Sequence, residues 1–132
     1  MLDTGYSLLT TLSAMSRVLV VADEPWVRNE VHAALSIGAN ELVDHPDPAT
    51  AAHVTNEGSV DVAVVDLQVA SMGGVAVTRS IRGTANPVPV ILLLDREADV
   101  FLAGRSGASA WVTKPFTASA LRAAVTDVTG AV

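Results

Sequence analysis

Four ionisable residues stand out by their placement. Asp23, Asp66, Asp95 and Lys114 each come at the end of an apolar, strand-length run. Any one of them alone reads as a solvated loop charge. Together, each at a strand end, they would meet at one edge of a sheet, with three carboxylates around one ammonium. Lys114 adds a second signal, because it is the only lysine and every other cation is an arginine. Where the chain otherwise chooses a planar guanidinium, a single lysine marks a place that calls for a compact ammonium.

The elements that must position these residues follow from patterning. Residues 17–21 are a continuous β-branched run, as in a strand buried on both faces. Asp23-Glu24-Pro25 then opens a helix, with acids at its positive end and proline in its first turn. Val27, Val31, Ala34 and Leu35 give that helix one apolar stripe to about Ser36, and Gly38 closes it. Further strands are expected at 41–43, 60–65 (ending on Asp66), 89–94 and 110–112. Helices are expected at 49–55, at 75–82 after a Gly73-Gly74 turn, and at 97–105. Thr117 caps a final helix running to about Val128, while Phe116 packs on Leu121 as a hydrophobic staple. Strand and helix alternate five times, which implies a parallel sheet covered on both faces. In such a sheet the site lies at the carboxyl ends of the strands, near the point where strand order reverses.

Composition narrows the function. A chain of 132 residues that is 50% apolar makes one ordinary domain with a real core. A net charge of −6 with no basic stretch argues against nucleic acid as a partner, because phosphate contacts need clustered Lys and Arg. Without cysteine, disulfides and thiolate metal sites are excluded. The apolar runs fall far short of the roughly 20 residues of a membrane helix, and residues 1–16 lack the basic start of a secretory signal. The expectation is a cytoplasmic protein with no membrane insertion. It has a short extension over 1–16 and one domain over 17–132, with no output domain attached; Met15 is an alternative start.

Three segments carry a family resemblance. Arg17-Val-Leu-Val-Val-Ala-Asp-Glu-Pro25, Asp61-Val-Ala-Val-Val-Asp-Leu67 and Gly107-Ala-Ser-Ala-Trp-Val-Thr-Lys-Pro-Phe116 resemble the signature segments of bacterial response-regulator receiver domains, in the right order. The resemblance spans about residues 17–128. It implies an α/β, flavodoxin-like (βα)5 fold with strand order 2-1-3-4-5, and a role in two-component phosphorelay signalling. It also implies roles for single residues. Asp66 would be the phosphoacceptor, a carboxylate nucleophile. Asp23, Asp66 and the backbone carbonyl of Gln68 would bind Mg²⁺. Lys114 would pair with Asp66 and then with the phosphoryl oxygens. The bond from Lys114 to Pro115 would be cis, and Trp111 would stand at the aromatic switch position. Self-phosphorylation on Asp66 would be the only catalysis. Phosphoryl transfer to a carboxylate needs concentrated positive charge, which Mg²⁺ and a lysine supply.

The sequence departs from the family at two points. The family pairs two acids after the first strand, and here the first is Ala22. Losing such a partner typically weakens a metal site by about 10–100-fold, and Asp95 is a candidate compensating acid, or else a charge that repels a phosphoryl group. The family also ends its fourth strand on Thr or Ser. Here Leu94 stands in that place, and Leu92 and Leu93 supply no hydroxyl in any other register. A hydrogen bond to a charged group is worth about 1.5–3 kcal/mol, so phosphorylation is expected to couple poorly to Trp111.

Two functions compete. One is an atypical, stand-alone phosphoacceptor receiver; the other is a pseudo-receiver adaptor that recognises a partner without phosphate. Either would act through protein contacts on the face built from residues 97–128, with a histidine kinase, another signalling protein or a second copy as partner. His32, His45 and His53 show no ligand spacing. Trp26 is a candidate either for the rim of the site or for packing.

Overall fold

The computed structural model describes residues 16–36, 40–70 and 72–130. Strands β1 (Ser16–Val21), β2 (Asn40–Asp44), β3 (Val62–Asp66), β4 (Val90–Leu94) and β5 (Ala110–Thr113) form one sheet in the order β2-β1-β3-β4-β5. Every neighbouring pair is parallel. Between the strands lie α1 (Pro25–Leu35), α2 (Ala51–Asn56), α3 (Gly74–Arg82) and α4 (Val100–Ser106), and α5 (Ala118–Thr129) follows β5. The expected α/β architecture and strand order are therefore those of the molecule. No helix among the described residues is long and apolar enough to cross a membrane.

The period of two along each strand sorts the core into two layers. Val18, Val20, Val62, Val64, Ile91 and Leu93 face α1 and α5, where they meet Val27, Val31, Leu35, Leu121 and Val125. Leu19, Val21, Ala63, Val65, Val90, Leu92 and Leu94 face the other side, against Ala51 of α2, Val77 and Ile81 of α3 and Ala103 of α4. Both faces of the three central strands are buried, which is why those strands read as unbroken apolar runs.

The boundaries differ from expectation in physically simple ways. β1 begins at Ser16, which pairs with Asn40 and is buried, so the strand takes in the last residue assigned to the extension. The helix expected from 49 begins as a 3-10 turn, Pro48–Thr50, because the Asp47 side chain caps it by accepting from the Ala49 N–H. The helix after β4 also starts as a 3-10 turn, Glu97–Asp99, where the Asp99 carboxylate accepts from the Arg96 N–H and guanidinium. Thr117 caps α5 as expected, accepting from the Ala120 N–H at 3.1 Å. Phe116 packs on the cluster that contains Leu121. The rest of the extension and the helix-ending Gly38 lie outside the described residues.

Candidate functional site

The register of the sheet sets the edge where the ionisable residues meet. Val21 of β1 pairs with Val65 of β3, so Ala22 and Asp66 leave the sheet side by side at the point where strand order reverses. Asp66 pairs with Leu93 of β4, and Leu94 pairs with Thr113 of β5. The Lys114 N–H then donates to the Leu94 carbonyl at 2.7 Å, which carries the ladder one residue further and brings Lys114 level with Asp95.

Lys114, Asp66 and Asp95 form a charge triad in which Asp66 and Lys114 are nearly sealed and Asp95 is partly exposed. The Lys114 ammonium donates to Asp66 Oδ1 at 2.6 Å and lies 2.9 Å from Asp95 Oδ1. The Asp66 side chain is 1% exposed and that of Lys114 only 7%. The Gln68 N–H also donates to Asp66 Oδ1, at 3.2 Å. Burial disfavours the ammonium, but its hydrogen bonds to both carboxylates outweigh that and raise the Lys114 pKa. Burial likewise acts against the Asp95 carboxylate. The Lys114 hydrogen bond, then the Gln68 amide, reverse that and hold its pKa below the ordinary value.

Asp23 stands on the other side of the site. Its carboxylate Oδ2 accepts a short hydrogen bond from the Ala70 N–H, which ties the β1–α1 loop to the loop after Asp66. The Arg28 guanidinium, one turn into α1, donates to the Ala22 and Asp23 carbonyls at 3.0 and 2.6 Å and fixes the same loop. Ala22 is 1% exposed and packs into the apolar layer with Val18 and Val20. Leu94 is fully buried in the opposite layer. Among the described residues, no three His, Cys, Asp or Glu side chains are grouped to hold a metal ion; Asp95 is spent on Lys114.

The Lys114–Pro115 peptide is cis. Trp111 is 38% exposed, with its ring edge beside Gly104 of α4. Trp26, half exposed, lies over the site: its ring centre is 5.8 Å from the Lys114 ammonium. A small cavity beside it is lined by Trp26, Glu30, Pro115 and Phe116. The histidines are scattered: His32 on Asp44, His45 on Thr50 and His53 on Glu57.

Patterning missed three contributors. Arg28 and the Ala70 N–H carry no signal in sequence, because both act through tertiary contacts. Gly74 gave one, but only as a turn. A Cβ there would lie 2.6 Å from the Leu67 Cα and 2.7 Å from the Asp66 carbonyl oxygen, so only glycine lets the start of α3 approach the backbone of Asp66.

Comparison with known proteins agrees with this geometry. The family model described as the response regulator receiver domain matches residues 18–126. The transcriptional regulatory protein CseB of Streptomyces avermitilis is 31% identical over 89% of this chain and 50% of its own length. The virulence transcriptional regulatory protein PhoP of Salmonella typhimurium is 34% identical over 77% of this chain and 46% of its own. The chain thus spans about half the length of these relatives. Among solved structures, the receiver domain of a sensor histidine kinase from Pseudomonas aeruginosa superposes with a TM-score of 0.79 at 22% identity, covering 88% of this chain and 98% of that one. That protein holds a magnesium ion in its active-site cleft. On the match over residues 18–126, the chain belongs to the response regulator receiver domain family.

Proposed function

We propose that this chain is an atypical receiver in a phosphorelay, with Asp66 as phosphoacceptor and Lys114 as its charge partner. The observation that carries this reading is the 2.6 Å bond from the Lys114 ammonium to the buried Asp66 carboxylate. A carboxylate and a lysine sealed at the sheet's switch point have no structural need to be charged; apolar residues of similar volume would fill the place at least as well. Both nitrogen donors of Asp66 use Oδ1, so Oδ2 carries neither bond. Oδ2 would form the new P–O bond as the bond from phosphorus to the donor's leaving group breaks, with the electron pair departing on that group.

A divalent cation fits the donor set in kind. Asp23, Asp66 and the Gln68 carbonyl offer only hard oxygen ligands, and Mg²⁺ takes a few of these with water completing its octahedron. Bound there, the ion would supply positive charge against the developing phosphoryl charge. The set is one acid short, because Ala22 contributes a methyl group to the core. The partner surface is assigned to the 97–128 face, which exposes Phe101, Leu102 and Trp111. Receivers act with histidine kinases and other signalling proteins.

A second reading, a phosphate-independent adaptor, draws on one specific feature: Ala22 and Leu94 are both packed into the core where the family has polar residues. Intact-mass measurement after treatment with a small phosphodonor and Mg²⁺ separates the two. The phosphoacceptor reading expects a slow gain of one phosphoryl group that Asp66→Asn abolishes. No gain at saturating Mg²⁺, or a gain that survives Asp66→Asn, transfers the lead to the adaptor.

A further inference from the structure

We infer that Asp95 is a built-in anion that occupies Lys114 and competes with a phosphoryl group for that ammonium. The inference rests on the phosphoacceptor reading of Asp66 but concerns a different residue and a different step. An ammonium has three donors. At Lys114 one goes to Asp66 at 2.6 Å and another to Asp95 at 2.9 Å. The Trp26 ring covers the ammonium from 5.8 Å, and only 7% of the side chain is exposed. Two of the three donors are therefore engaged while Asp95 stays in place, and burial under the Trp26 ring restricts access to the third.

The Asp95 carboxylate is a plausible occupant for the place of a phosphoryl oxygen because it offers the same thing to the lysine, an anionic oxygen at hydrogen-bond distance. Beyond Lys114 it has one further partner, the Gln68 amide. Its second oxygen is buried and makes no hydrogen bond, and the side chain keeps 33% exposure toward solvent. It is therefore a group that can swing out, at the cost of its contacts to Lys114 and the Gln68 amide. Nor does Asp95 serve as the acid that Ala22 fails to supply, because no three acids are grouped for a metal among the described residues. Its effect on the site's charge is adverse: two carboxylates face one ammonium with Asp23 across the site, and an anionic donor approaches against that surplus. Removing Asp95 should thus free a donor and reduce the repulsion in one change.

The chain's single lysine makes the test direct. Lysine labelled with ¹³C gives one side-chain signal, that of Lys114, whatever happens at Asp66. Parent, Asp95→Ala and Asp95→Asn are titrated with inorganic phosphate in the presence of Mg²⁺, and separately treated with a small phosphodonor. The expected result is a Lys114 signal that moves with phosphate in Asp95→Ala at concentrations at least about tenfold lower than in the parent, with Asp95→Asn between them; about tenfold is the low end for one hydrogen bond to a charged group. Phosphorylation of Asp66 should quicken by a similar factor. A Lys114 signal that responds equally in parent and variants, or in none of them, overturns the inference, as does slower phosphorylation in Asp95→Ala. If Lys114 responds as expected while Asp66 is never modified in any of the three, the inference stands and the phosphoacceptor reading fails.

Discussion

The strands around Asp66 end in two different ways. β5, one strand beyond β4, delivers Lys114, whose ammonium is held by two carboxylates in a nearly sealed setting. The two strands that flank β3 lead to Ala22, just after β1, and to Leu94, the last residue of β4, and both are absorbed into the apolar layers of the core. The first half of the site keeps charge at the expense of burial. The second half is apolar and packed. A receiver needs both, one to neutralise the phosphoryl group and the other to hold metal and report the change. The contrast teaches that the two jobs are separable in this fold, because they sit on different strands of one sheet.

Breaking the charged half should have the largest effect. Lys114→Met leaves Asp66 and Asp95 without a cation, and removing one partner of a buried pair costs about 3–5 kcal/mol. The loss should depend on pH. The Asp95 carboxyl titrates below its ordinary value of 3.8, so its share of stability is complete above that pH and disappears as pH falls through the lowered value. The variant lacks this share. Chemical denaturation should therefore show the widest gap between parent and variant at neutral pH and a narrower one in acid. A gap that is constant across the acid range would show that the pair with Lys114 does not hold the Asp95 pKa down.

Altering the apolar half should cost less. Leu94 is fully buried against Val65, Val77 and Ala103, so Leu94→Thr removes packed methyl groups and inserts a hydroxyl among apolar neighbours. The expected loss is about 2–3 kcal/mol, read by denaturant midpoint. A neutral outcome would mean that the end of β4 is polar enough to satisfy a hydroxyl, and the division drawn here between the two halves would blur.

Much of this arrangement was legible in the sequence, for local reasons. β1, β3 and β4 announced themselves because burial on both faces demands unbroken apolar runs. α1 showed its stripe at Val27, Val31, Ala34 and Leu35, all four of which are buried. The four strand-end residues were found because topology alone puts them on one edge. What lay hidden is what depends on contact across the fold. That Asp95 pairs with Lys114 depends on the register of β4 with β5 and on side-chain direction. The tie from Asp23 to the Ala70 N–H joins residues far apart in the chain. Gly74 looked like punctuation, and its close approach to Asp66 appears only once α3 is docked.

The central claim is that the apolar half of the site, where Ala22 and Leu94 are packed into the core, limits its chemistry. The direct test is the rate of Asp66 phosphorylation by a small phosphodonor at fixed Mg²⁺ in the parent and in the Ala22→Asp, Leu94→Thr double variant, followed by intact mass. The double variant restores a carboxylate beside Asp23 and a hydroxyl beside the phosphoryl position. The account predicts a reaction at least about tenfold faster than the parent's, the low end for regaining one metal-supporting partner. A parent that already reacts fast, and a double variant that reacts no faster, would contradict it.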